Sequence, residues 1–229
     1  YLRYERGLDL TGLRGAFTQE LYRDGKRNIT SATVRFPLPG GSHWERLIDR
    51  PGRFDKKAHF KFGGSWGGHC WAHPDDDMRA LAESDEIWIA EGIFDALALR
   101  QNFARLAKAG NKIKRTAVSA MSVNNWPEHF LEGVREACRT CGIKEKPALV
   151  FAFDVGAAGV KFTKKYVAQA RREGWDSTAA QVRPDGDGSK LDWNDLWLRQ
   201  QSWKGEERKG PLDEESLEEY VWNGEITLA

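Results

Sequence analysis

From residue 85 onward, short apolar runs alternate with longer stretches of helical composition. Residues 86–90 are apolar and β-prone and pass directly into Gly92-Ile93-Phe94-Asp95-Ala96-Leu97, so they read as a strand running straight into a helix. That helix extends to about residue 109 and ends at Gly110, a helix C-cap position. A second strand is expected at 116–121, followed by the polar segment 122–126 and a helix from Pro127 to about Thr140, with proline in its first turn. Residues 148–153 form a continuous apolar run of the kind covered on both faces. A helix from about Val160 to Arg172, stopped by Gly174, and a fourth strand at 177–182 follow. Three strand-helix units in succession predict a parallel sheet with right-handed crossovers.

The first eighty residues differ, being rich in Gly, Pro, Arg and aromatics, with short alternating runs in place of long helices. Residues 29–38 alternate apolar and polar, end in Pro39-Gly40-Gly41, and resume at 44–48, a hairpin-like pattern. A second strand pair is expected at 59–62 and 69–71, joined by Gly63-Gly64-Ser65-Trp66-Gly67-Gly68. Asp77 or a neighbour caps a short helix through Leu81. Beyond residue 200 the chain is highly charged, and a last helix is expected from Pro211 to about Trp222. The expected divisions are a β-rich subdomain at 1–80, an α/β domain at 81–200 and a charged helical segment at 201–229.

Composition narrows the options without choosing among them. The chain has 229 residues, 40% of them hydrophobic, enough for one sizeable core or a core domain with a smaller companion. Thirty-five Lys and Arg against 34 Asp and Glu exclude a uniformly basic nucleic-acid binder and leave room for a local patch. No run is long and apolar enough for a membrane span, and the start lacks a signal-peptide pattern, so a cytoplasmic protein is expected. The missing initial Met is expected of a fragment cut from a longer protein. Three cysteines, Cys70, Cys138 and Cys141, fit a reducing compartment. Cys138 and Cys141 have zinc-knuckle spacing with no second pair, and His69 and His73 lie near Cys70, but a helix end carrying two ordinary cysteines is the preferred reading.

Candidate chemistry sits after the strands. Glu91 falls at the carboxyl end of a buried strand, the edge where open α/β sheets bind ligands, and no cap needs it there. Asp95, one turn on, can instead serve the helix N-terminus and its dipole. Asp154 follows the third strand, and Asp192 and Asp195 follow the fourth, whereas Asp185 and Asp187 read as a solvated turn. Parallel strands bring such groups to one edge, where converging carboxylates repel and need neutralising. An oxygen-only set suits Mg²⁺ or Mn²⁺, which bind through a few carboxylates, water and substrate phosphates, and this points to phosphoryl transfer. In the first region, Arg53, Lys56, Lys57, His59 and Lys61 precede a loop of four glycines around Trp66. That loop can approach a phosphate or base while Trp66 or Trp71 stacks on it, or it is a flexible turn beside a solvated basic face.

Three motifs in order now carry a resemblance. Glu91-Gly92-Ile93-Phe94-Asp95-Ala96-Leu97-Ala98 is similar to the Glu-Gly-x-x-Asp-Ala-Leu-Ala block of Toprim domains, the catalytic fold of bacterial-type primases and topoisomerases. Phe153-Asp154-Val155-Gly156-Ala157-Ala158-Gly159 resembles that family's Asp-x-Asp-x-Ala-Gly block, and Asp192-Trp193-Asn194-Asp195-Leu196 resembles the Asp-Trp-Asn-Asp-Leu block of phage, plasmid and mobile-element primases. The resemblance implies a Toprim-like, Rossmann-like parallel sheet flanked by helices behind a small β-rich lead-in. It implies Glu91 as general acid/base or metal ligand, Asp154 as metal ligand and Asp192 or Asp195 as the third acidic position. It further implies a DNA primase core from a mobile-element replication protein, making RNA primers from ribonucleoside triphosphates on single-stranded DNA, with a replicative helicase as a further candidate partner. The departure is Gly156, where the family has its second aspartate; it removes one side-chain ligand, while the Gly-Ala-Ala-Gly run can offer backbone N–H groups to a phosphate. Two alternatives stay open beside the primase: a catalytically silent Toprim-like module that binds nucleic acid or a partner, and a Toprim-type metal-dependent nuclease.

Overall fold

The computed structural model describes residues 1–182, 191–202 and 221–222. An antiparallel sheet comes first, in the order β1 (Thr18–Asp24), β2 (Ile29–Leu38), β3 (Ser42–Leu47), β4 (Ala58–Phe60). The alternation in β2 puts Val34, Phe36 and Leu38 inward, as its period of two requires. Gly40 and Gly41, both left-handed, close the β2–β3 turn at the expected place. Strand β1 has no counterpart in the hydrophobic pattern: it is an edge strand, TQELYRD, with both faces largely exposed, so no apolar alternation marks it.

The second sheet runs β6 (Arg115–Ser119), β5 (Glu86–Ala90), β7 (Ala148–Ala152), β8 (Ser177–Ala180), β9 (Val221–Trp222); the first four are parallel and β9 is antiparallel to β8. Helices α2 (Ile93–Lys108), α3 (Glu128–Cys141) and α4 (Ala157–Arg172) connect the parallel strands, and α5 (Trp193–Ser202) follows β8. The short α1 (Met78–Ala82) precedes β5, and Asp77 caps it by accepting the Ala80 N–H at 2.8 Å.

Alternate residues of the central strands feed two cores. Ile87, Ile89, Leu149 and Phe151 pack with Phe130, Leu131, Val134 and Tyr166 of α3 and α4. Trp88, Ala90, Val150 and Ala152 pack on the other face with α2, α5, the antiparallel sheet and Leu2, Leu8 and Leu13 of the N-terminal segment. This double coverage is why the strands read as continuous apolar runs.

Three expectations are corrected. Residues 69–71 form no strand with 59–62: β4 pairs with β3, and Trp71 makes a single antiparallel bridge to Ser119, donating and accepting at 2.9 Å. Among the described residues the edge of β6 is otherwise unpaired, and Trp71 closes it while its ring, 1% exposed, meets Phe36 edge-on. Helix α4 starts at Ala157, three residues before the expected Val160. Val221 and Trp222 are strand rather than the end of a helix, because the outer edge of β8 takes them as partners; the rest of that predicted helix, and Asp185 and Asp187, lie outside the described residues. Cys138 is buried on α3 and Cys141 is exposed at its end. Among the described residues no helix is long and apolar enough to cross a membrane.

Candidate acidic site and the basic aromatic face beside it

Glu91 directly follows β5, Asp154 lies just beyond β7, and Asp192 opens α5. Since β5 and β7 are adjacent and in parallel register, Ala90 opposite Ala152, their carboxyl ends deliver Glu91 and Asp154 to one edge. The Asp154 main-chain N–H holds the Glu91 carboxyl, and the Glu91 carbonyl accepts from the buried Ser119 hydroxyl at 2.9 Å. Gly159 is needed here because a Cβ at that position would collide with the Asp154 carbonyl oxygen. That carbonyl also accepts from Gln181 Nε2 at 3.3 Å, which ties β7 to the segment after β8.

The Asp-Trp-Asn-Asp segment divides its labour. Asp192 and Asp195 form a reciprocal cap on α5: Asp195 N–H donates to Asp192 Oδ1 at 2.6 Å, and Asp192 N–H donates to Asp195 Oδ2 at 3.3 Å. Trp193 donates its indole N–H to the Ala152 carbonyl at 3.0 Å and meets Trp88 edge-on, which pins α5 to the end of β7. Asn194 N–H donates to Asp95 Oδ1 at 3.1 Å, and its amide exchanges hydrogen bonds with Arg6, Nδ2 to the Arg6 carbonyl at 2.9 Å and Oδ1 from the guanidinium at 3.1 Å. Arg6 lies over the Phe94 ring at 4.6 Å, and its charge offsets part of the rise that burial imposes on the Asp192 carboxyl. Asp95 does not cap its own helix, as an isolated first-turn acid would; it is 6% exposed and receives α5 instead. A Cβ on Gly92 would lie 2.7 Å from Asp95 Oδ2, which explains the glycine.

Among the described residues, burial and like charge dominate the electrostatics of the cluster. Burial and then the charges of Glu91, Asp192 and Asp195 push Asp154 up to about 7. Burial raises Glu91, Asp192 and, most strongly, Asp95, the last also through Asp192, Asp154 and Glu91. Asp154 Oδ1 is buried, with no hydrogen-bond partner among the described residues. Such a group calls for a proton or a cation. Among the described residues no three His, Cys, Asp or Glu side chains close into a complete metal-binding group as they stand. An open, oxygen-only set of this kind fits Mg²⁺ or Mn²⁺, which keep several waters and use one or two carboxylates. Gly156 is the N-cap of α4 with φ of 171°, extended backbone that any residue adopts, so the glycine is not imposed by its conformation.

An aromatic row leads from this site into the antiparallel sheet. Phe94 meets Trp44 at 5.6 Å, Trp44 is the cross-strand partner of Phe60, and Phe60 stacks on Trp66 with ring centroids 4.5 Å apart and planes 6° apart. Trp66 is half-buried, whereas Trp71 is wholly in the core and cannot stack a base. Lys56 and Lys57 are exposed just before β4, and Lys61 follows it with its ammonium on the Gly41 carbonyl at 2.9 Å. Arg53 is also exposed but spends its guanidinium on the Thr30 carbonyl and Asp49. Phe62, expected within the strand at 59–62, lies beyond the end of β4 at Phe60 and is fully solvent-exposed at 102%. Asn125, in the polar segment after β6, is structural: its side chain binds Gly68 N–H and the carbonyls of His69 and Ala120.

Residues 88–197 match the family model described as Toprim-like. The fold is similar to the RNA polymerase domain of Mycobacterium tuberculosis primase DnaG, with a TM-score of 0.51 at 17% identity over 85% of this chain and 60% of that one. A structure of that domain in complex with double-stranded DNA gives a TM-score of 0.51 at 18% identity over 85% of this chain and 57% of the other. The chain therefore spans about 60% of the length of the solved domain it matches. No significant match was found among curated proteins.

Proposed function

This chain carries a Toprim-like domain in a fold shared with a primase polymerase domain, and we propose that it joins ribonucleotides on a single-stranded DNA template by metal-dependent nucleotidyl transfer. The observation that carries this reading is Asp154, whose buried Oδ1, without a partner among the described residues, is pressed by Glu91 and Asp192 at the carboxyl edge of the sheet. Glu91, Asp154 and Asp192 are the residues that would hold Mg²⁺ or Mn²⁺; Asp195 contributes charge, but its carboxylate serves the α5 cap. When bound, the ion would offset the charge that develops on the phosphates as pyrophosphate leaves.

The remaining steps belong to the chain itself. Glu91, raised by burial, is suited to take the proton from the attacking 3′-hydroxyl. Asn194, Asp95 and Arg6 lock α5 so that Asp192 keeps its place beside Asp154. The first turn of α4, without a side-chain cap, offers backbone N–H groups to substrate phosphate. Lys56, Lys57, Lys61 and Arg53 would follow the template backbone while Trp66, supported by Phe60, stacks an unpaired base.

Gly156 supports a second reading, a Toprim-like module that binds nucleic acid without catalysis, because it withholds a side-chain ligand beside Asp154. Incubating the chain with single-stranded DNA, ribonucleoside triphosphates and Mn²⁺ separates the readings. Labelled oligoribonucleotide products support the primase, shortening of the DNA strand supports a nuclease, and DNA binding with neither product supports the silent module.

A further inference from the structure

A cavity of about 630 Å³ lies between the N-terminal segment, α2 and α5, and no residue of the acidic cluster lines it. Its walls include Arg3, Asp9, Gln101, Arg105, Lys108 and Trp197. The volume falls within the roughly 300–1,000 Å³ of small-ligand sites. The walls are fixed before any ligand arrives. Gln101 donates to the Asp9 carbonyl at 2.8 Å and accepts the Asp9 N–H at 3.0 Å, and Trp197 donates its indole N–H to the Gly7 carbonyl at 2.9 Å. Arg105 is held over the Trp197 ring at 4.1 Å, giving one wall a flat, cationic lining.

Among the described lining residues Asp9 is the carboxylate that faces Arg3 and Lys108; it is engaged by the Thr11 N–H at 3.0 Å, with Lys108 and Arg3 close enough to act on it. Among the described residues neither Arg3 nor Lys108 has an ion-pair partner within bonding distance. The last carbonyls of α2, which would repel an anion, are already covered by the N–H groups of Ala109, Gly110 and Asn111. We propose that this cavity is a second ligand site, for a free nucleotide whose phosphates are neutralised by Arg3 and Lys108.

The phosphates of a free nucleotide and of a DNA strand share this chemistry, so the test separates them. ADP is titrated calorimetrically into the chain at low salt with EDTA present, which silences any metal-dependent nucleotide binding at the acidic cluster and keeps this outcome apart from that of the proposed polymerase. Wild type is expected to bind, Glu91→Gln to bind equally, and Arg3→Ala/Lys108→Ala to bind at least about tenfold more weakly, as loss of charge-assisted contacts requires. Lys108→Glu, a single exposed change, gives the same loss should the double variant not fold. A short oligothymidylate is expected to bind the double variant as tightly as wild type. No ADP binding by wild type, or equal ADP binding by the cavity variants, overturns the proposal. An oligothymidylate that loses affinity in those variants while ADP does not overturns it too, in favour of a strand contact.

Discussion

Asp95 Oδ1 accepts the backbone N–H of Asn194 at 3.1 Å across 99 positions of sequence, and so couples the first turn of α2 to the first turn of α5. The carboxyl is buried and held well above the usual carboxylate range by burial and by Asp192, Asp154 and Glu91. Asp95→Asn keeps the acceptor and removes a like charge, so it should fold and should melt at or above the wild-type temperature at neutral pH. Asp95→Ala leaves the Asn194 N–H unpaired and should cost about 1–3 kcal/mol. Thermal melts of both variants, metal-free, check this; equal destabilisation by Asn and Ala would contradict it.

Stability should depend on pH in the direction opposite to ordinary acid unfolding. Asp154 rises to about 7 in the fold from an unfolded value near ~3.9, so the folded chain binds the extra proton between those limits. This stabilisation is fully present below the unfolded pKa and is lost as pH rises through about 7. Metal-free protein should therefore lose stability from about pH 4 to somewhat above pH 7, and Asp154→Asn should flatten that slope. Mg²⁺ or Mn²⁺ should restore wild type, and not Asp154→Asn, at the upper end. Melts across a pH series in EDTA and in metal test the sign.

Metal affinity should be modest because Gly156 supplies no ligand. Its extended backbone accepts a side chain, so Gly156→Asp should tighten Mn²⁺ binding. Calorimetric titration showing no difference between wild type and Gly156→Asp would remove residue 156 from the ligand set.

Single-stranded DNA should bind through the basic face, with affinity falling as salt rises. Lys56→Ala/Lys57→Ala should weaken binding and reduce its salt dependence, and Trp66→Ala should cost about 1–3 kcal/mol for a lost stacked base. Trp71→Ala should instead lower the melting temperature, since that ring is core. Fluorescence anisotropy across a salt series checks all three; unchanged affinity in both surface variants would move the template path elsewhere.

Much of this arrangement was legible because period and strand order determine it. Apolar runs covered on both faces marked β5 and β7, and parallel register then carries Glu91 and Asp154 to one edge. What escaped the sequence depends on distant partners. Strand β1 is a polar edge strand with no alternation to detect. Trp71 looked like strand or surface aromatic and is a bridge to the edge of β6. Asn194 and Arg6 are 188 positions apart, and nothing local to either announces the pair. Asp195 is different: its spacing from Asp192 is that of a helix capping box, a local signal that distinguishes the cap from the candidate ligand.

The most direct measurement is a crystal structure of the chain with Mn²⁺, read by anomalous scattering above neutral pH. The account predicts one ion at the carboxyl edge of the parallel sheet, with oxygens of Asp154 and at least one of Glu91 and Asp192 at about 2.0–2.2 Å or bridged by a single water. Mn²⁺ bound elsewhere with that edge empty, or Asp154→Asn binding the ion as tightly as wild type, would contradict it.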